Sequence, residues 1–100
     1  MILDYDLTDR AVRDLRSGRE WYDRFDLDHG NRFVDDVLVV IRAARERPTS
    51  FPIWRRDVRT ARCKVFPYRV YFRVFNNRVV ITAVYHTARN PKLWDDPDRE

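Results

Sequence analysis

The sequence predicts an α+β fold in the order β-α-α-β-β-β. A short N-terminal strand precedes an antiparallel helix hairpin, packed on one face of a small twisted antiparallel sheet, and a short C-terminal helical turn follows. Three observations predict it. Apolar residues of the first half recur at helical spacing, broken once by "DLDHG". After the two-proline loop "PTSFPIW" the period changes from helical to two. A chain of 100 residues, 44% hydrophobic and 14% aromatic, has material for one modest core.

Each element has its own signature. "ILDYDL" (2–7) alternates apolar and acidic residues, as a half-buried strand does. Thr8 is placed to cap the helix "DRAVRDLRSGREWYDRF", whose stripe is Ala11, Leu15, Gly18, Tyr22 and Phe25. Glycine is unfavourable inside a helix, so Gly18 on that stripe implies that another helix passes close by. "DLDHG" is expected to be the interhelical turn, with His29 exposed in it. A second helix is expected from about Asn31 to Arg47, with Phe33, Val37, Ile41 and Ala44 in line and Pro48 stopping it. "RTARC" (59–63) is a first strand, with Cys63 toward the core. "YRVYFRVF" and "RVVITAVYH" make a hairpin about Asn76-Asn77, since asparagine tolerates positive φ. Trp21, Tyr22 and Trp54 are expected in packing roles, and Trp94 at the sheet edge. Residues 1–94 form the single domain, and the acidic tail 95–100 is expected to be disordered.

In a regular hairpin of this register, one face collects Tyr68, Val70, Phe72 and Val74 with Val79, Ile81, Ala83 and Tyr85, a wall for the helices. The other collects Arg69, Tyr71 and Arg73 with Val80, Thr82, Val84 and His86. Arg62, Lys64 and Arg89 extend it, giving five cations with no facing carboxylate. Guanidinium groups interleaved with an aromatic ring suit phosphate and base.

Charge distribution points the same way. The net charge is +4, yet residues 55–92 hold ten cations against Asp57 alone, a local charge of +9. Residues 93–100 carry −3. A segment this basic seeks phosphate or an acidic protein partner. The single cysteine and two distant histidines argue against a disulfide framework or a metal site, and no cofactor is expected. No apolar run is long enough to span a bilayer, and "MILDYDLT" lacks the cations of a secretory signal, so a cytoplasmic location is expected.

The element order, "FPYRVYFRV" and "VVITAVYHTARNPKLW" resemble the RelE/ParE superfamily of type II toxin–antitoxin toxins over residues 1 to about 94. The resemblance implies a growth-inhibiting toxin, a cognate acidic antitoxin and a toxin–antitoxin hetero-oligomer. RelE-like members cleave ribosome-bound mRNA, whereas ParE-like members poison DNA gyrase. In the cleaving members, arginines that contact the scissile phosphate fall here on Arg69 and Arg89, and a basic residue of the preceding strand falls on Arg62. The usual lysine companion is Thr60 here, and Trp94-Asp95 stands where many members have a tyrosine. "RTARC" and the exit histidine are similar to ParE-like sequences.

For metal-free RNA cleavage, His86 is the expected base. Arg69 and Arg89 would complete the catalytic set, while Arg62, Lys64, Arg73 and Tyr71 hold the nucleic acid. Ribosome-dependent mRNA cleavage is the first expectation and gyrase inhibition the alternative, with an antitoxin-binding relative lacking activity as a third.

Overall fold

The computed structural model describes residues 2–88. Strand β1 (Asp4–Leu7) leads into helices α1 (Asp9–Asp23) and α2 (Leu27–Glu46) and a 3₁₀ turn at Pro48–Ser50. Strands β2 (Ile53–Arg55), β3 (Val58–Arg62), β4 (Tyr68–Phe75) and β5 (Arg78–His86) follow. They form one sheet of order β1-β5-β4-β3-β2, antiparallel except that β1 runs parallel to β5. The helical turn expected over "NPKLW" and the acidic tail lie outside the described residues.

Thr8 caps α1 as expected, its hydroxyl accepting from the Ala11 amide at 3.1 Å. The same hydroxyl donates to the Thr82 carbonyl at 3.2 Å, tying the helix start to β5. Gly18 is where the helices meet. A Cβ there would lie 2.5 Å from Phe33 Cζ, so only glycine admits the ring. Phe33, Val37, Ile41 and Ala44 on α2 are all buried beneath the sheet, together with Val70, Phe72, Val79 and Ile81. Among the described residues, no helix is long and apolar enough to cross a membrane.

Three boundaries differ from the sequence reading. Helix α2 begins earlier than expected because Asp26 caps it, accepting from the His29 amide at 2.8 Å. His29 therefore sits in the first helical turn, half-buried, with its ring stacked on Tyr22 at 6.2 Å. Phe25 falls in the turn after α1 and is 65% exposed instead of joining the stripe. Within the expected loop, Ile53–Arg55 forms the edge strand β2, paired irregularly with β3.

The hairpin carries the largest difference. Asn76 and Asn77 have φ of 51° and 59°, the left-handed pair that a two-residue turn requires. Pairing runs regularly from Phe75↔Arg78 to Phe72↔Ile81, then resumes at Tyr71↔Ala83. Thr82 is the extra residue of a β-bulge. Its buried hydroxyl donates to the Tyr71 carbonyl at 3.2 Å, and its own carbonyl is taken by Thr8. Beyond it every side chain of β5 changes face. Val84 joins the helix-side core, while Ala83 and Tyr85 cross to join Tyr71, Val58 and Trp54 in a second cluster. The wall is also shorter than expected, since Val74 and Phe75 are 40% and 60% exposed at the hairpin tip.

Candidate functional site

The bulge determines which candidate residues come together. Arg62 on β3 and Arg69 on β4 are direct cross-strand partners. Arg62 is exposed, and half-buried Arg69 reaches Thr60 Oγ1 at 3.5 Å. Opposed like charges cost a sheet stability, so this pair is suited to meeting an anion. Lys64 follows in the β3–β4 loop, exposed, at the same end of the sheet. Buried Asp36 of α2 fixes that loop: its carboxylate accepts from the amides of Lys64, Val65 and Phe66 at 3.2, 3.0 and 2.8 Å. Among the described residues, no carboxylate pairs with the side chains of Arg62, Lys64 or Arg69.

Two members of the predicted set are occupied otherwise. Arg73 is paired with Asp57 at 2.8 Å, which corrects the expectation that no carboxylate faces the cations. Tyr71 is only 2% exposed and meets Trp54 edge-on at 5.2 Å and Tyr85 at 6.0 Å. Its ring is filling for the second cluster and is not open to a base. Burial pushes its hydroxyl pKa up, against the lowering effect of the Arg69 charge. The middle of the second face is thus apolar, and its arginines lie around that cluster.

His86 does not share a face with Arg69. It pairs with Tyr68, their rings edge-on at 5.2 Å, on the side the helices cover. Its Nδ1 accepts from the Ala88 amide at 3.1 Å, so in the neutral ring the proton sits on Nε2. His86 helps line a cleft of about 490 Å³ between α1 and β5, with Ser17, Gly18, Trp21, Tyr68 and Val84. Trp21, expected to pack, is 50% exposed at this cleft. Asp14 at its edge accepts from the Val84 amide at 3.0 Å, closing a strand edge that β1 does not reach. Arg89 lies outside the described residues.

Cys63 is buried, as expected, and its thiol is pushed up to about 12, chiefly by burial and further by the Asp36 charge. It is inert. Among the described residues, no group of three His, Cys, Asp or Glu could hold a metal ion. Asp36 and Thr82 were not singled out from the sequence. A lone threonine amid "VVITAVY" was the only trace of the bulge, and nothing marked Asp36 among the acids of α2.

The chain is thus a small basic protein in which a helix hairpin packs on a five-stranded sheet, with an opposed arginine pair at its rim. The sequence profile of the ParE toxin of type II toxin–antitoxin systems matches residues 5–91, and the chain belongs to that family. A chain of the chromosomal ParDE toxin–antitoxin system of P. aeruginosa has the same fold. Its TM-score is 0.74 at 18% identity, over 85% of this chain and 96% of that one. A chain of the RelBE2 toxin–antitoxin complex of Mycobacterium tuberculosis gives 0.62 at 21% identity, over 86% and 99%. No individual curated protein matches the sequence.

Proposed function

We propose that this toxin arrests growth in the cytoplasm by binding DNA gyrase, and that a cognate acidic antitoxin neutralises it. One observation carries the choice of target. The bulge at Thr82 puts His86 beside Tyr68, with Nδ1 already accepting from Ala88, so no imidazole stands with Arg62 and Arg69. Cleavage of RNA without metal needs a base near the 2′-hydroxyl as well as cations at the phosphate. Stoichiometric binding needs only the cations and shape. Family membership supports the same target. The antitoxin follows from the charge: a +9 segment draws an acidic chain, chiefly by faster association and a fixed register.

Ribosome-bound mRNA is the second reading. The opposed Arg62 and Arg69, with Lys64 beside them, favour it as a phosphate clamp. There Arg69 and Arg89 would stabilise the developing charge, and Arg62 and Lys64 would hold the backbone. Induction in cells separates the two readings. Gyrase poisoning predicts an SOS response with intact transcripts, and new 5′ ends inside translated mRNA without that response would reverse the choice.

A further inference from the structure

We propose that Asp36 is a positioning residue for the cationic rim: by anchoring the β3–β4 loop it holds Lys64 beside Arg62 and Arg69, so that three cations meet one anionic ligand together. The inference rests on the reading of that rim as a surface for anionic partners. Asp36 itself touches no ligand. It lies buried on α2, and its two oxygens accept from three successive amides, those of Lys64, Val65 and Phe66. In a ladder successive amides point to opposite sides, so three converging on one group mark a curled loop with no strand to satisfy it. A carboxylate accepts on both oxygens, whereas a neutral amide side chain brings one acceptor and two donors.

Geometry links this anchor to the rim. Cys63 donates to the Tyr68 carbonyl at 2.9 Å, extending the pairing one step beyond the opposed Arg62 and Arg69. Lys64 is the next residue, exposed, and its own amide is one of the three that Asp36 holds. Two residues on, Phe66 is buried with its ring edge-on to Tyr22 at 4.8 Å. The Lys64 stem therefore leaves from backbone fixed on both sides, and less freedom is lost when a ligand binds. The charge of Asp36 acts in the opposite direction. A carboxylate behind three cations repels an anion, so removing that charge alone should tighten binding. Asp36→Asn separates the two effects by sign, because its single oxygen leaves at least one of the three amides without an acceptor.

The probe is a fluorescent single-stranded DNA oligonucleotide, titrated with the full chain at several salt concentrations. K64Q should weaken binding about 2- to 5-fold and flatten the slope of log affinity against log salt by about 0.7, the share of one phosphate. D36N should do the same despite its lost negative charge, and D36N/K64Q should bind no more weakly than K64Q alone. A general loosening of the fold would instead lower affinity again in the double variant. The proposal is overturned if D36N binds as well as the wild-type chain or better, if K64Q binds like the wild-type chain, or if the two losses add. Whatever the folding of D36N, amide nitrogen relaxation of the wild-type chain should give order parameters of about 0.85 at residues 64–66, and values below about 0.6 would also overturn it. An oligonucleotide that the wild-type chain does not bind would remove the reading of the rim together with this inference. Binding that is indifferent to both substitutions removes this inference alone, and no arm involves gyrase.

Discussion

His86 lies directly opposite Tyr68 across β4 and β5, ring against ring at 5.2 Å and 79°, on the helix-covered side of the sheet. The accepting Nδ1 makes the ring a structural cap for the turn to Ala88. His86→Gln should therefore keep growth arrest within about 3-fold of the parent. Loss of a general base would instead lower a cleavage rate by on the order of 10²–10⁴. Survival counts after timed induction, with the protein level matched, distinguish the two.

Arg62 and Arg69 oppose each other, and this has a stability signature. Arg62→Gln should raise unfolding free energy at low salt by about 0.2–1 kcal/mol, since directly opposed like charges destabilise a sheet. The gain should shrink at 1 M salt, where screening falls to about 3 Å. Urea unfolding at two ionic strengths reads both. Weaker oligonucleotide binding should accompany the gain.

Gly18→Ala is predicted to destabilise, although alanine is the better helix former by about 1 kcal/mol. The added methyl would lie 2.5 Å from Phe33 Cζ, and Phe33 is fully buried, so its ring would have to shift within the core. Overpacking of this kind costs about 1–3 kcal/mol, so the net change in thermal unfolding should be downward.

Cys63 should make stability fall at alkaline pH. Its thiol ionises ordinarily near 9.0 and in the fold near about 12, because burial disfavours the thiolate. Below pH 9.0 both folded and unfolded chains hold the proton, and the contribution is complete. Between the two values only the unfolded chain releases it, so stability drops as pH rises, by at most about 1.4 kcal/mol per unit. Against Cys63→Ala, which lacks the group, the wild-type curve should descend more steeply above pH 9.0. Parallel curves would mean that the thiol is not held in this way.

The helices were legible because each presents a single apolar stripe, and the Phe33–Ala44 series reached the core intact. Thr8 and Asn76-Asn77 announced a cap and a turn through local chemistry that tertiary packing did not override. The bulge was hidden for a physical reason. After Thr82 both faces of β5 are apolar, so alternation cannot say whether Ala83 and Tyr85 or Val84 faces the helices. The face of His86 was misread along with it, and so was the exposure of Tyr71, which keeps its expected face but is covered once Ala83 and Tyr85 cross over. Strand β2 escaped notice because it has only three residues and follows Pro52. Asp26 read as part of a turn because a capping aspartate and a turn aspartate have the same sequence appearance. The facing of Arg62 and Arg69 was unaffected, because they lie on β3 and β4 and the extra residue belongs to β5.

The most direct test of the account uses purified gyrase, relaxed plasmid and ATP, with wild-type toxin and His86→Gln side by side. Both proteins are predicted to block supercoiling at comparable concentrations and to leave plasmid covalently bound to gyrase after denaturation. Adding the cognate antitoxin first should prevent this. Gyrase left fully active by the wild-type protein, together with cleavage of mRNA on translating ribosomes that His86→Gln abolishes, would contradict it.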